Sequence, residues 1–390
     1  MSNELSPKDL MRLHDVRERI KEDMKGIDGI INLLLIALVV RGHVLLEGNP
    51  GLGKTALIRA LSSAMDLPGQ DVGRIQFTPD LMPSDITGTK MPNDAGRLEF
   101  QRGPIFCRLL LADEINRATP KTQAAMLEAM AEFQVTVLGT QYPLAQEREV
   151  IDETRLTVRP PFMVMATQNP VEQEGTFALP EAQLDRFLFK ALMPFPNRET
   201  LEAIVRKDAG LPKSKSEAGT QTPTSSEAAF ANLHRLGRGL RSMRPSEDVR
   251  IHIMNIVMAS VGMFDEMLGL SATGLKYIKQ FHADRIRYEL GPRAATSLSL
   301  ATVGWAALAE VKPSEASQIP AKSMDALAKI AVPVLRHRMR FEMDFAFGAD
   351  QANQHDDLVR EFVALCAPAE HGYAENFKIS IAVAAETARF

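Results

Sequence analysis

The stretch His43-Val44-Leu45-Leu46-Glu47-Gly48-Asn49-Pro50-Gly51-Leu52-Gly53-Lys54-Thr55 constrains the fold of this chain more than any other. A short apolar strand runs into a glycine-rich turn, and the turn opens a helix beginning near Gly53. The pattern G-x-x-x-x-G-K-T over Gly48–Thr55 is that of a phosphate-binding loop. Glycines let the backbone curl so that successive N–H groups point inward, which makes an anion nest at a helix N-terminus. Lys54 adds a point charge for the β- and γ-phosphates of a nucleotide, and Thr55 offers a hydroxyl to Mg2+. Gly48, Asn49, Pro50, Gly51, Leu52, Gly53, Lys54 and Thr55 are therefore the expected nucleotide-binding run.

The flanking sequence repeats the same alternation. A helix is expected from Ser6-Pro7 to about Met24, and a more buried one over Ile30–Val40. Strands are expected at 43–47, 73–78, 105–112, 162–167 and 187–193, with helices at 54–65, 120–132 and 180–186. A hairpin fits 134–144, where apolar and polar residues alternate around Gly139. Strands alternating with helices predict an α/β fold with a parallel sheet. Ligands in such sheets gather at the carboxyl ends of the strands, here Gly48, Asp113 and Asn169. From Asn197 the pattern turns helical, with a Ser/Thr/Lys/Gly/Pro-rich segment at 210–226 that reads as a flexible loop. Four to six helices are expected over 227–337, and one more at Asp356–Cys366. The expected division is 1–196 as the α/β nucleotide-binding domain, 197–345 as an all-α lid and 346–390 as a C-terminal extension.

Composition narrows the function classes. The 45 basic and 49 acidic residues leave a net charge of −4. That balance advertises no nucleic-acid surface, although a local basic channel does not show in a total. Cys107 and Cys366 lie far apart and match no zinc or redox spacing, and Cys107 falls in an apolar strand pattern as a buried, inert thiol. The longest apolar stretch, Ile30–Val40, is interrupted by Asn32 and falls short of the ~20 residues of a membrane span. The N-terminus carries both charge signs, unlike a secretory signal, so a cytoplasmic protein is expected. The histidines are scattered, and His337, between Arg336 and Arg338, reads as a surface residue rather than a metal ligand.

Asp113-Glu114, directly after an apolar strand, fits the acidic pair of a nucleotide hydrolase. Asp113 holds Mg2+ through water, and Glu114 orients and deprotonates the attacking water. Asn169 can donate to a γ-phosphate or position the water. Arg186, in Leu184-Asp185-Arg186-Phe187, has two readings: a guanidinium offered to a neighbouring subunit's nucleotide, or a helix-end surface arginine. Arg293 follows Gly291-Pro292 and so lies at a helix N-terminus, where the dipole disfavours a cation. It either answers to an anion or is solvated.

Together these residues resemble the MoxR branch of the AAA+ ATPases. The resemblance is carried by Gly48–Thr55, Arg74–Gly88, Gly103–Phe106, Leu111–Ala118, Ala166–Gly175 and Leu179–Phe187, and it covers about residues 25–345. It implies ATP and Mg2+ as cofactors, Walker A at 48–55 and Walker B at Asp113-Glu114. It also implies sensor 1 at Asn169, an arginine finger at Arg186 and sensor 2 at Arg293. The expected assembly is a homo-oligomer, a hexameric ring with ATP at subunit interfaces. Pore-side loops are implied at 79–104 and at the 134–144 hairpin. The expected activity is chaperone-like remodelling or maturation of a protein client, with a von Willebrand factor A domain protein as partner. A charged insert at 146–155 departs from the family pattern and reads as a solvated excursion or a lengthened pore loop. Three other readings stand beside the remodelling ATPase: a nucleic-acid motor, an ATP-gated assembly scaffold and a magnesium-chelatase-like subunit.

Overall fold

The computed structural model describes residues 5–49, 51–94, 96–144, 148–150, 156–158, 162–169, 176–202, 226–343 and 349–387. Two helices open the chain, α1 (Pro7–Asp23) and α2 (Asp28–Val40). Pro7 presets the first turn of α1, while the Ser6 hydroxyl makes no capping bond. Every residue of α2 from Ile30 to Val40 is buried, as expected of a helix that is apolar all round. β1 (Val44–Glu47) then feeds α3 (Lys54–Ala64).

Next come β2 (Val72–Gln76), α4 (Pro83–Thr87) and the hairpin β3 (Gly88–Pro92) with β4 (Leu98–Arg102). They are followed by β5 (Leu109–Asp113), α5 (Pro120–Glu132) and a second hairpin, β6 (Gln134–Val137) with β7 (Thr140–Pro143). The pair β8 (Arg148–Val150) and β9 (Leu156–Val158) lies in and just beyond the charged insert, whose other residues fall outside the described ones. β10 (Met163–Gln168), the short α6 (Glu181–Leu184) and β11 (Phe189–Leu192) complete this half.

Five strands form one parallel sheet in the order β11-β1-β10-β5-β2. Alternate residues feed two apolar clusters. Val44, Leu46, Leu109, Leu111, Met163, Met165, Phe189 and Ala191 face one side, and Leu45, Leu110, Ala112, Val164 and Ala166 the other. Burial on both faces is why these strands read as unbroken apolar runs. β5 begins later than its apolar run, because Ile105–Arg108 turns before entering the sheet. Cys107 therefore sits in that turn rather than in a strand. It is buried all the same, and desolvation pushes its thiol up to about 12.

The second half is helical: α7 (Ser226–Ser242), α8 (Glu247–Ser260), α9 (Ala272–Arg285), α10 (Pro292–Trp305) and α11 (Ser323–Leu335). After α9, β12 (Ile286–Tyr288) pairs antiparallel with β13 (Arg340–Phe341). The tail holds two helices rather than the one expected, α12 (Ala349–Leu365) and α13 (Tyr373–Thr387). Phe362, Val363, Cys366 and Phe377 are fully buried and join the cluster that includes α1, α2 and one face of the sheet. The segment 203–225, with nearly all of the expected flexible loop, lies outside the described residues. Among the described residues no helix is long and apolar enough to cross a membrane.

β11 is an edge strand, and an edge leaves backbone groups without partners. The run after α11 supplies them. Arg336 donates to the Lys190 carbonyl at 3.1 Å, His337 Nε2 to that of Phe187 at 2.9 Å, and Arg338 to that of Leu188 at 3.2 Å. His337 is thus not the surface residue its charged neighbours imply: it is 3% exposed. Its ring is held well below the ordinary histidine range by burial, with Arg338 adding to the effect.

Candidate functional site

The loop after β1 curls back to open α3 because Gly51 and Gly53 adopt φ of 86° and 80°, a region that side chains with a Cβ avoid. A Cβ at Gly51 would meet nothing within 4 Å, so it is the positive φ and not crowding that calls for glycine there. Lys54, first residue of α3, folds its ammonium into the loop and donates to the Gly48 carbonyl at 2.5 Å. Half-burial lowers its pKa, and the carboxylates of Asp113, Glu114 and Glu47 pull against that shift. Gly48, Asn49, Leu52 and Thr55 share this turn, whereas Pro50 lies outside the described residues.

Asp113 ends β5, and Glu114 follows it in a left-handed conformation, φ 56° and ψ 49°. Such backbone is uncommon for a residue with a side chain and clusters at functional sites. One buried hydroxyl ties the two residues together. Thr167 Oγ1 accepts from the Glu114 N–H at 2.9 Å and donates to Asp113 Oδ1 at 2.7 Å. β2 supplies the other partners: Arg74 pairs with Asp113 Oδ2 at 2.8 Å, and Gln76 donates to Glu114 Oε2 at 3.1 Å. Arg117 reaches the same Glu114 oxygen at 3.0 Å. Thr167, Arg74 and Gln76 lie in stretches that carry the family resemblance, but nothing in the sequence assigns them a role. The available signal is that Arg74 and Gln76 share one face of a strand ending beside Asp113.

Asn169 directly follows β10, the strand between β1 and β5. Neighbouring strands are ~4.8 Å apart, so the phosphate loop, Asn169 and Asp113-Glu114 occupy three adjacent strand ends. The Gly48 N–H donates to the Gln168 carbonyl at 3.3 Å, which closes the β1–β10 end. Beside it, Gln168 Nε2 donates to Glu47 Oε2, and Lys190 reaches the same oxygen at 2.8 Å. Burial acts to raise the Glu47 carboxyl, but Lys190, Gln168 and Arg336 together outweigh it and hold the group below its usual range.

Arg186 and Arg293 do not join this group. The Leu188 N–H donates to the His43 carbonyl and the Met193 N–H to that of Glu47, so Arg186 precedes the amino end of β11. The five steps from Leu188 to Met193 span ~17 Å in extended chain, longer than an arginine side chain. Arg186 Nη1 donates to the Leu127 carbonyl of α5, and its buried Nε has no partner among the described residues. Arg293, in the first turn of α10, faces Asp185 Oδ2 at 3.6 Å. The anion it answers to within this chain is therefore a carboxylate beside Arg186.

This arrangement can hold a triphosphate against one lysine, with a carboxylate pair and an amide beside it. Sequence comparison agrees with that chemistry. Residues 43–189 match the ATPase family associated with various cellular activities (AAA). The uncharacterized protein YeaC of Bacillus subtilis is 42% identical over 259 residues, 66% of this chain and 73% of that one. The chaperone MoxR1 of Mycobacterium tuberculosis is 43% identical over 199 residues, but these span only 48% of its length and 50% of this chain. A crystal structure of a candidate ATPase from Cytophaga hutchinsonii superposes with a TM-score of 0.67 at 29% identity, covering 91% of this chain and 94% of that one. With the strand order, the phosphate loop and the acidic pair all in place, this chain belongs to the MoxR family of AAA+ ATPases.

Proposed function

We propose that the chain hydrolyses ATP within a ring of its own copies, and that the cycle remodels or matures a protein client. The observation that carries this reading is the meeting of Lys54, Asp113-Glu114 and Asn169 on three adjacent strand ends. The oxygen donors Thr55 and Asp113 suit a hard cation such as Mg2+, which is held by few protein ligands plus phosphates and water. Bound Mg2+ supplies neutralisation of the charge that develops on the phosphate oxygens.

The chain's own residues do the rest. The N–H groups of 48–55 and Lys54 bind and orient the phosphates. Asn169 holds the γ-phosphate or the water, and Glu114 takes the water's proton. Residues 1–196 serve as the nucleotide-binding domain, 197–345 as the lid and 346–390 as a packed extension. Arg186 sits a strand's length from its own phosphate loop and Arg293 faces the Asp185 beside it, so we assign both to the nucleotide of the adjacent copy, in a hexameric ring. The exposed tips Met91 and Leu98 of one hairpin and Leu138 of the other are apolar. They suit contact with an unfolded client at the pore, and a von Willebrand factor A domain protein is the partner class to seek.

The test is Glu114→Gln. ATP affinity and assembly should stay within about twofold of wild type, while turnover falls by ~10²-fold or more. Turnover near the wild-type rate would remove Glu114 from the role of base.

A further inference from the structure

Resting on the reading of Arg186 as a residue offered to the adjacent copy, we propose that Asp185 is a positioning residue. Through it, the helical half of the chain fixes where the Arg186 turn sits. α6 is only four residues long, and the hydrogen bonds that the turn makes to itself are local ones, to Pro180, Glu181, Gln183 and Leu184. Its fixed reference comes from across the chain. Arg338, 3% exposed, donates from Nε to Asp185 Oδ1 at 2.9 Å. Its Nη2 reaches the Asp185 carbonyl at 3.2 Å and the Phe187 carbonyl at 2.6 Å. Arg338 therefore grips the residues on both sides of Arg186.

The same guanidinium is anchored in the helical half, on the Val334 carbonyl of α11 and on Ser297 Oγ of α10 at 3.2 Å. The second oxygen of Asp185 faces Arg293 at the start of α10. One carboxylate thus joins α10 and α11 to the turn, while Arg186 lies inward against Leu127 with Nε unsatisfied. A guanidinium kept short of one hydrogen bond gains by meeting an anion. Where the turn sits decides whether it can. A shift of α10 and α11 moves the turn with it, and so sets whether Arg186 reaches the next copy's nucleotide.

The test uses full-length protein and mixed assemblies. Asp185→Asn keeps the shape and removes the charge. On its own it should bind ATP within twofold of wild type yet turn over at least tenfold more slowly. Mixed in equal amounts with Glu114→Gln, which lacks the base but still presents Arg186, it should regain activity. Independent head-to-tail interfaces would give about a quarter of the wild-type rate. A merely structural defect in Asp185→Asn would not be complemented in this way. Wild-type turnover by Asp185→Asn alone, or no recovery in the mixture, overturns the proposal. Should Asp185→Asn lose cooperative thermal unfolding, Arg338→Lys carries the same test and the same outcomes, since it keeps the buried charge and removes the fork. Arg186→Ala separates the two claims. If it retains full turnover, the finger reading fails and this proposal with it; if it loses turnover while Asp185→Asn does not, only the role of Asp185 fails.

Discussion

A single hydroxyl ties the backbone of Glu114 to the carboxylate of Asp113. Thr167 accepts from the backbone of Glu114 and donates to the side chain of Asp113, and it is itself fully buried. Thr167→Val keeps the shape and removes both bonds, leaving the Glu114 N–H unpaired. Denaturant unfolding should show a loss of about 1–3 kcal/mol, and turnover at saturating ATP should fall at least tenfold. Unchanged turnover in the folded variant would show that the bridge does not position Glu114. Lys54, Asp113 and Glu114 were legible in the sequence because their chemistry is written in contiguous residues: a glycine turn before a helix, and acids at the end of an apolar run. Thr167, Arg74 and Gln76 were not, because they act across strands. Their partners follow from the order β10-β5-β2 and its register, which no local pattern states.

At the scale of elements, the helical half is tied to the sheet by the run Arg336-His337-Arg338 along β11, and the tail is tied to that run. Arg336 and Asp356 form a two-pronged pair at 2.7 and 2.6 Å, with side chains 7% and 9% exposed. Removing one partner of a buried pair strands the other charge, so Asp356→Ala should cost about 3–5 kcal/mol. Replacing both, Arg336→Met with Asp356→Leu, should cost distinctly less than the single change. Equal losses in chemical denaturation would mean that the pair contributes no more than packing. The helix at 120–132 and the 134–144 hairpin were legible, since their signals (a proline start, alternation around a turn) are local. Surface placement of His337 was a wrong expectation for an equally physical reason. Charged flanks imply solvent unless a sheet edge supplies acceptors, and which edge lies open is a property of the assembled fold.

For the molecule as a whole, enclosed histidines predict how stability follows pH. His43 sits between Val164 and Met130, and His252 between Tyr373 and Val363; burial pushes each down to about 4. The unfolded chain takes up their protons near 6.5, so above that pH folding gains nothing and loses nothing from them. As pH falls below 6.5 the unfolded state binds protons that the folded state refuses, and stability drops. At pH 5 each should have removed roughly 2 kcal/mol, with the loss levelling off near pH 4. His337 acts in the same direction. Thermal midpoints should therefore decline steadily from pH 6.5 to pH 4, and a flat profile would contradict the enclosed, neutral state of these rings.

Under the proposed function, three adjacent strand ends share one triphosphate, and a second copy completes the site. A structure of the assembled Glu114→Gln variant with ATP and Mg2+ tests it most directly. Lys54 and Asn169 should lie on the γ-phosphate, the metal between Thr55 and Asp113, and Arg186 of the adjacent copy at the same phosphate. Nucleotide bound elsewhere, or a γ-phosphate out of reach of Asn169 and approached by no arginine of the adjacent copy, would contradict it.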